Sequence, residues 1–320
     1  MKKQLLFMGC ALFALNVFAG VQDVAKDELA KVVPGTITRQ ADNGWLYAKS
    51  EFQHLAKGEL INGNVIKVSA CTKKTNADPA EALVDFNTQL NNLGIKLILV
   101  PVPPKEAFYP TAGLQPGEAM TYLAPYYEEL RAKGLNVLDL SKVFLDRCAE
   151  NVYCKTDAHW SPAGISLAAA EVAKFIKERG KTPFESTQTE ITISGDLAKS
   201  LNATEPIKEN ITINSVRGNA LSETSPVLVL GDSHTLVFST GDDMLAENAG
   251  FCEILAQQLQ MPVERIGVKG SAATIVRINL YRKAVKNPEW LKNKQYIIYI
   301  FSCREFTEAV SGWAKVPIQK

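Results

Sequence analysis

Histidine is scarce in this 320-residue chain: there are three, His54, His159 and His234. With no Cys-x-x-Cys pair beside them, a zinc centre has few ligands to draw on, and no metal or cofactor is expected. Charge of one sign is missing too. Lys and Arg number 35 against 34 Asp and Glu, a formal net charge of +1. Nothing here favours a nucleic-acid partner, and no strong global field steers a polyanionic glycan. Beyond the N-terminal segment no run is long and apolar enough to cross a bilayer. What the chain does have is apolar material, 46% of its residues, enough for one substantial core in a single domain.

The first residues carry Lys2 and Lys3, then the apolar stretch Leu5 to Ala19, with Val17-Phe18-Ala19 before Gly20. This pattern reads as an export signal over residues 1–19, either cleaved or kept as an anchor, ahead of an exported domain over residues 20–320. Cys10 lacks a lipobox context and is not a lipidation site. The remaining cysteines, Cys71, Cys148, Cys154, Cys252 and Cys303, are odd in number for an oxidising compartment. Cys148 and Cys154 bracket a short loop, so a disulfide between them is expected. The pairing of Cys71, Cys252 and Cys303 is left open.

Strand-like and helical runs alternate along the domain. Ile95 to Val100, Asn136 to Leu140, Val227 to Leu230, Val263 to Ile266 and Tyr296 to Phe301 read as buried strands. Val21 to Val33, Glu118 to Lys133 and the stretch after His159 read as helices. In the last of these Ile165, Ala168, Ala169, Val172 and Ile176 recur at helical spacing. The alternation predicts an α/β fold with a central parallel sheet covered by helices. Residues 187–225, polar and rich in β-branched side chains, read as a small β insertion.

Two short motifs carry the chemistry. Gly231-Asp232-Ser233-His234 follows the apolar run Val227 to Leu230 and turns toward a predicted helix, which places Ser233 where that helix begins, with free backbone N–H groups that can stabilise an oxyanion. Asp157-Ala158-His159-Trp160 precedes Ser161-Pro162, a capping serine followed by proline at the first helical position. A serine needs a base, and His159 has an acid two residues away to orient it. His234 adjoins the serine, but side chains of adjacent residues diverge, so it reads as a cleft-lining neighbour. His54 reads as packing or surface. The bland alternative, a capping turn and a chance Asp-x-His, weakens when both motifs occur in one chain at strand ends. The candidate triad is therefore Asp157, His159 and Ser233. In open α/β sheets sites form beyond the carboxyl ends of the strands. There Lys105 and Arg304 are candidate substrate contacts, and Trp160 is a candidate for stacking on a sugar, each set against a structural reading as ion pair or wedge.

Gly231-Asp232-Ser233 resembles the first block of the SGNH hydrolase superfamily. The order acid, histidine, serine, with Asp157-Ala158-His159-Trp160-Ser161-Pro162-Ala163-Gly164 upstream, is similar to the alginate O-acetyltransferases of the AlgJ and AlgX type. Gly44-Trp45-Leu46-Tyr47, Val100-Pro101-Val102-Pro103-Pro104-Lys105 and Phe301-Ser302-Cys303-Arg304-Glu305 agree. The resemblance spans about residues 40 to 306, and the short stretch after it makes the AlgJ arrangement the closer comparison. It implies a flavodoxin-like three-layer α/β/α fold. It also implies an oxyanion hole for which Ser233 and Gly270 are candidates. No asparagine matches the third donor, since Asn279 falls in a predicted helix, and Arg277 is a weak substitute.

The function the resemblance implies is O-acetylation of a secreted polysaccharide, alginate or similar, in the periplasm. Ser233 would carry the acetyl group, and a membrane-bound O-acyltransferase would be the partner that supplies it. Two rivals stand beside it: an acetylesterase with the same triad, and a non-catalytic polysaccharide-binding or secretion scaffold.

Overall fold

The computed structural model describes residues 20–111 and 113–319, so the predicted signal segment lies outside the described residues. At its centre is a parallel four-stranded sheet. Its strands are β3 (Lys96–Val102), β8 (Tyr296–Ser302), β6 (Val227–Gly231) and β7 (Glu264–Gly267), in the order β3-β8-β6-β7. β6 and β8 are buried at every position. Strands covered on both faces need continuous apolar runs rather than alternation, and Val-Leu-Val-Leu and Tyr-Ile-Ile-Tyr-Ile-Phe supply them. Single parallel bridges, Leu99 with Val137 and Leu221 with Val263, extend the sheet at its two edges. The expected strand Asn136 to Leu140 is thus reduced to one bridge.

Helices cover the sheet. One, Pro79–Asn91, begins on Asp78, whose carboxylate accepts from the N–H groups of Ala80 and Glu81. Its Phe86 meets Tyr299 of β8 edge-on. The helix Pro162–Ala173 starts on Ser161 as expected, its hydroxyl accepting from Ala163 and Gly164 N–H. Ile165, Ala168, Ala169 and Val172 are fully buried, and Ile176 nearly so. The run Glu118 to Lys133 is not one helix. A 3-10 turn at Glu118–Met120 precedes the helix Leu123–Ala132. The N-terminal helix extends to residue 30, short of Val33.

Two small antiparallel pairs lie outside the main sheet. β1 (Thr38–Gln40) pairs with β2 (Leu46–Ala48). The insertion is a ribbon, β4 (Ser186–Ile193) against β5 (Glu209–Val216), with the short helix Asp196–Ser200 in its connection. Both pairs reach the same place. Leu46 N–H donates to Lys155 carbonyl at 3.0 Å and Thr38 Oγ1 to Leu197 carbonyl at 2.9 Å, so β1, β2 and the insertion converge on the loop before His159.

Candidate active site

The turns after β6, β7 and β8 are tied together. Asp232 N–H donates to Ile300 carbonyl, Val268 N–H to Gly231 carbonyl, and Ser302 N–H to Asp232 Oδ2 at 2.7 Å. Gly231 has to be glycine, because a Cβ there would lie 2.2 Å from Ile300 carbonyl oxygen and 2.7 Å from Thr235 Cγ2. The close approach turns the chain sharply and leaves Ser233 half-buried at the head of a single 3-10 turn, Ser233–Thr235, rather than of a full helix. Among the described residues the Ser233 N–H has no hydrogen-bond acceptor. It is available to a ligand oxygen.

His159 meets this serine across 74 residues of sequence, with Nε2 2.7 Å from Ser233 Oγ. Its Nδ1 lies 2.6 Å from Asp157 Oδ1, which also accepts the His159 main-chain N–H at 3.0 Å. The second oxygen, Asp157 Oδ2, accepts from Asp196 N–H at 2.8 Å. Both carboxylate oxygens are thereby fixed, and the imidazole is aimed at the serine. Burial works against charge on Asp157, yet the facing imidazole and the N–H groups hold its carboxyl well below the usual range. Burial likewise opposes the imidazolium, but Asp157, with Asp196 and Asp232 behind it, raises His159 above its ordinary value. A buried base of raised pKa, bonded to a hydroxyl and oriented by an acid, can take and return a proton.

A second Asp-x-His pair repeats this local geometry. Asp232 Oδ1 accepts the His234 main-chain N–H and faces Nδ1, both at 2.9 Å. The His234 ring stands edge-on to His159, centroids 4.9 Å apart. Burial lowers the His234 pKa; Asp232 opposes that, while the charges of His159 and Arg304 reinforce it. His234 therefore stays a neutral wall of the site. Asp232, held at about 2 by His234 and two N–H groups against the cost of burial, is a structural anion of the turn.

Several expected roles need correction. Trp160 is fully buried: its indole N–H donates to His234 carbonyl at 3.2 Å and its ring stacks on Phe251. It wedges the loop and offers no face to a sugar. Lys105 is only 1% exposed, and its ammonium donates to the carbonyls of Leu46 (2.6 Å) and Asp157 (2.9 Å). With its Nζ over the rings of Trp45 and Tyr47, it is a buried strut and not a substrate contact. Arg277 is fully buried between Phe86 and Trp313 and donates to Ala273 carbonyl, which removes it from the oxyanion candidates. Cys148 and Cys154 are not bridged. Cys148 sits half-buried in the 3-10 turn Cys148–Glu150, while the Cys154 thiol is turned into the core toward Trp160 carbonyl at 3.7 Å. Gly270 is exposed in the turn after β7 with φ +87° and open space over its Cα. Arg304 is half-buried beyond β8, with Nη1 donating to Ser302 Oγ at 3.2 Å. His54 is a core residue, bonded to Thr307 and Tyr122.

The insertion supplies what the sequence reading did not foresee. Glu209 accepts from the N–H groups of Lys155 (2.9 Å) and Thr156 (2.7 Å) and from Thr156 Oγ1 (2.6 Å). Gly195 N–H donates to Thr156 Oγ1, Ala198 N–H to Thr156 carbonyl, and Asp196 Oδ1 accepts Ala158 N–H at 2.8 Å. Gly-Asp ahead of Leu-Ala-Lys-Ser signals a turn into a helix, but nothing local in it points to a partner 39 residues upstream.

A parallel sheet with Ser, His and Asp side chains in hydrogen-bond succession beyond its carboxyl ends defines an α/β domain of the SGNH-hydrolase type. The chain belongs to the AlgX acetyltransferase family: residues 38–282 match the family model described as SGNH hydrolase-like domain, acetyltransferase AlgX. It is similar to the probable alginate O-acetylase AlgJ of Pseudomonas aeruginosa, with 27% identity over 150 residues, 45% of this chain and 34% of that protein. A second relative of the same description, from Pseudomonas syringae pv. tomato, is 27% identical over 146 residues, 44% of this chain and 33% of that protein. The match thus spans about a third of the length of these curated relatives. Among solved structures, the O-acetyltransferase domain of Pseudomonas putida AlgJ aligns with a TM-score of 0.62 at 18% identity, over 85% of this chain and 92% of that one. Pseudomonas aeruginosa AlgX aligns with a TM-score of 0.59 at 18% identity, over 84% of this chain and 62% of that one. At that identity the two structures establish the fold.

Proposed function

We propose that this protein is an O-acetyltransferase that acetylates hydroxyl groups of a secreted polysaccharide, alginate or a similar exopolysaccharide, through an acetyl-serine intermediate. The observation that carries the reading is the continuous bond sequence Asp157, His159, Ser233, built on the fold of the AlgX family. Ser233 Oγ attacks the acetyl carbonyl carbon as its proton passes to His159 Nε2. The leaving group takes that proton as its bond to the acetyl carbon breaks. An acceptor hydroxyl then gives its proton to His159 and takes the acetyl group, which restores the serine. The unpaired Ser233 N–H supports the negative oxygen in both steps, and Gly270 is the candidate second donor. Arg304 is the candidate contact for the substrate.

The name of the AlgJ relatives supports acetyl transfer to alginate, and a membrane-bound O-acyltransferase would be the partner that supplies the acetyl group. The work would take place in the periplasm. No helix among the described residues is long and apolar enough to cross a membrane, and residues 1–19 are the export signal or anchor of this reading. The test uses an activated acetyl ester with and without defined oligosaccharides. Wild-type protein should show an acetyl group on Ser233 by mass spectrometry and acetylated sugar at the expense of free acetate. Ser233→Ala should do neither, and His159→Ala and Asp157→Ala should each lose several orders of magnitude. Acetate release unaffected by any oligosaccharide would make the protein an esterase. Undiminished activity of Ser233→Ala would overturn both catalytic readings and leave a binding role.

A further inference from the structure

Asp196 stands behind the acid of the candidate triad, contributed by a part of the chain that takes no part in the main sheet. Its main-chain N–H donates to Asp157 Oδ2 and its own Oδ1 accepts from Ala158 N–H, both at 2.8 Å. The two residues thus grip the Asp-Ala-His loop reciprocally from across the connection between β4 and β5. Carboxylate oxygens of Asp157 and Asp196 and an imidazole nitrogen of His159 lie within 4.8 Å of one another. The grip is tight. A Cβ on Gly195 would lie 2.4 Å from Asp157 Cβ and 2.5 Å from Thr156 carbonyl oxygen. Packing alone needs no second carboxylate at such a spot, since an asparagine would accept the same Ala158 N–H. A charge there is a cost: burial and the Asp157 carboxylate raise the Asp196 carboxyl, and the His159 imidazole opposes that.

We infer that Asp196 is a positioning residue of the site: its N–H fixes the Asp157 carboxylate and its negative charge stabilises the protonated form of His159 during acetyl transfer. This rests on the catalytic reading given above. The groups that face His159 are Asp157 on its own loop, Asp196 on the insertion, and Asp232, Ser233 and His234 on the turn after β6, with Arg304 after β8 acting on His234. Of the three acids, Asp157 makes the direct bond, Asp232 is bonded to His234, and Asp196, within 4.8 Å of both Asp157 and His159, agrees with them in sign and raises the imidazole. The inserted ribbon is then part of the catalytic apparatus.

The experiment compares wild type with Asp196→Asn, which keeps an oxygen for Ala158 and removes the charge, and with Asp196→Glu, which keeps the charge. Two readouts are taken: the pH dependence of kcat/KM for acetylation of Ser233 by an activated ester, and the titration of the His159 imidazole by NMR in nitrogen-labelled protein. In Asp196→Asn both the acid limb and the His159 titration should move to lower pH by about one unit, the size expected of one partly buried charge a few ångströms away. Asp196→Glu should stay closer to wild type than Asp196→Asn in both. A purely structural role would lower the rate and leave the limb in place, and that result overturns the inference, as does an unmoved titration. The titration needs no turnover, so it separates the two claims. A shifted His159 in a protein that never forms acetyl-Ser233 would sink the acetyltransferase reading and the inference's claim about transfer, while an unshifted one in an active enzyme sinks the inference alone.

Discussion

The Lys105 ammonium donates to the main-chain carbonyl of Asp157 at 2.9 Å across 52 residues of sequence, and the same nitrogen holds Leu46 carbonyl at 2.6 Å. The proline-rich turn after β3 therefore pins the acid of the triad and the β2 strand to one buried point. Burial lowers the lysine pKa, and Glu51, Asp157 and Glu209 oppose that. Lys105→Met fills similar volume but donates nothing, which leaves two inward-facing carbonyls without the donor they share. The expected cost is about 3 kcal/mol. Chemical denaturation measures it, and a loss below about 0.5 kcal/mol would mean that the strut is dispensable.

Gly195→Ala tests the grip of the insertion on the acid. The alanine methyl would meet Asp157 Cβ and Thr156 carbonyl oxygen inside any allowed contact distance, and both belong to the backbone-anchored acid loop rather than to a flexible side-chain end. The loop must move. Since displacements near 1 Å cost catalysis on the order of a hundredfold, acetylation of Ser233 should fall by about that factor or more. A variant with wild-type turnover would show that the ribbon and the loop are not rigidly coupled.

Buried histidines set the acid sensitivity of the fold. Burial, with a smaller contribution from Arg304 and Lys57, pushes His54 down to about 3. Between that value and the ordinary 6.5 the unfolded chain binds a proton that the folded one refuses. Stability is therefore lost as pH falls through this window, at about 1.4 kcal/mol per pH unit for a full proton. His234, also lowered, acts in the same direction. His159 is raised, so its contribution is full below about 6.5 and is lost as pH rises through its folded value. Replacing His54 by Gln should flatten the dependence of unfolding free energy on pH between 6 and 4 by about one proton. Urea titrations at three pH values give the slope, and an unchanged slope would show that His54 is not the residue refusing the proton.

The central sheet was legible because strands buried on both faces must be continuous apolar runs, and Val227 to Leu230 and Tyr296 to Phe301 have no other reading of that length. Asn136 to Leu140 misled for the same reason: its apolar residues pack at the sheet edge, where one bridge at Val137 is all the backbone makes. The serine and the acid–histidine pair were legible because each sits in a motif with its own turn chemistry. Their supports were not. Lys105 looks like any lysine after a proline turn until the carbonyls of Leu46 and Asp157 are found on its ammonium, and Asp196 and Glu209 act on a loop 38 to 54 residues upstream. Trp160 was open to two readings, since a tryptophan beside a histidine in a loop has the composition of a sugar platform and of a wedge alike. Only its burial against Phe251 decides the matter.

Trp160 yields the last prediction. Its indole N–H holds His234 carbonyl, its ring stacks on Phe251 at 5.6 Å and it meets the His234 ring edge-on at 5.3 Å, so it joins the acid–histidine loop to the serine turn from beneath. Trp160→Phe keeps an aromatic ring and orphans the carbonyl, at a cost of about 1–2 kcal/mol, while Trp160→Ala opens a cavity at about 3–5 kcal/mol. Because the ring has no exposed surface, Trp160→Phe on the inactive Ser233→Ala background should bind an acceptor oligosaccharide as tightly as Ser233→Ala alone. In the active enzyme kcat should fall through the loosened His159 loop, with the KM for the sugar little changed. Calorimetric titration of the oligosaccharide checks the binding, steady-state kinetics the kcat and KM, and thermal unfolding the stability cost. A drop in sugar affinity of tenfold or more with stability preserved would place the indole in contact with the glycan after all.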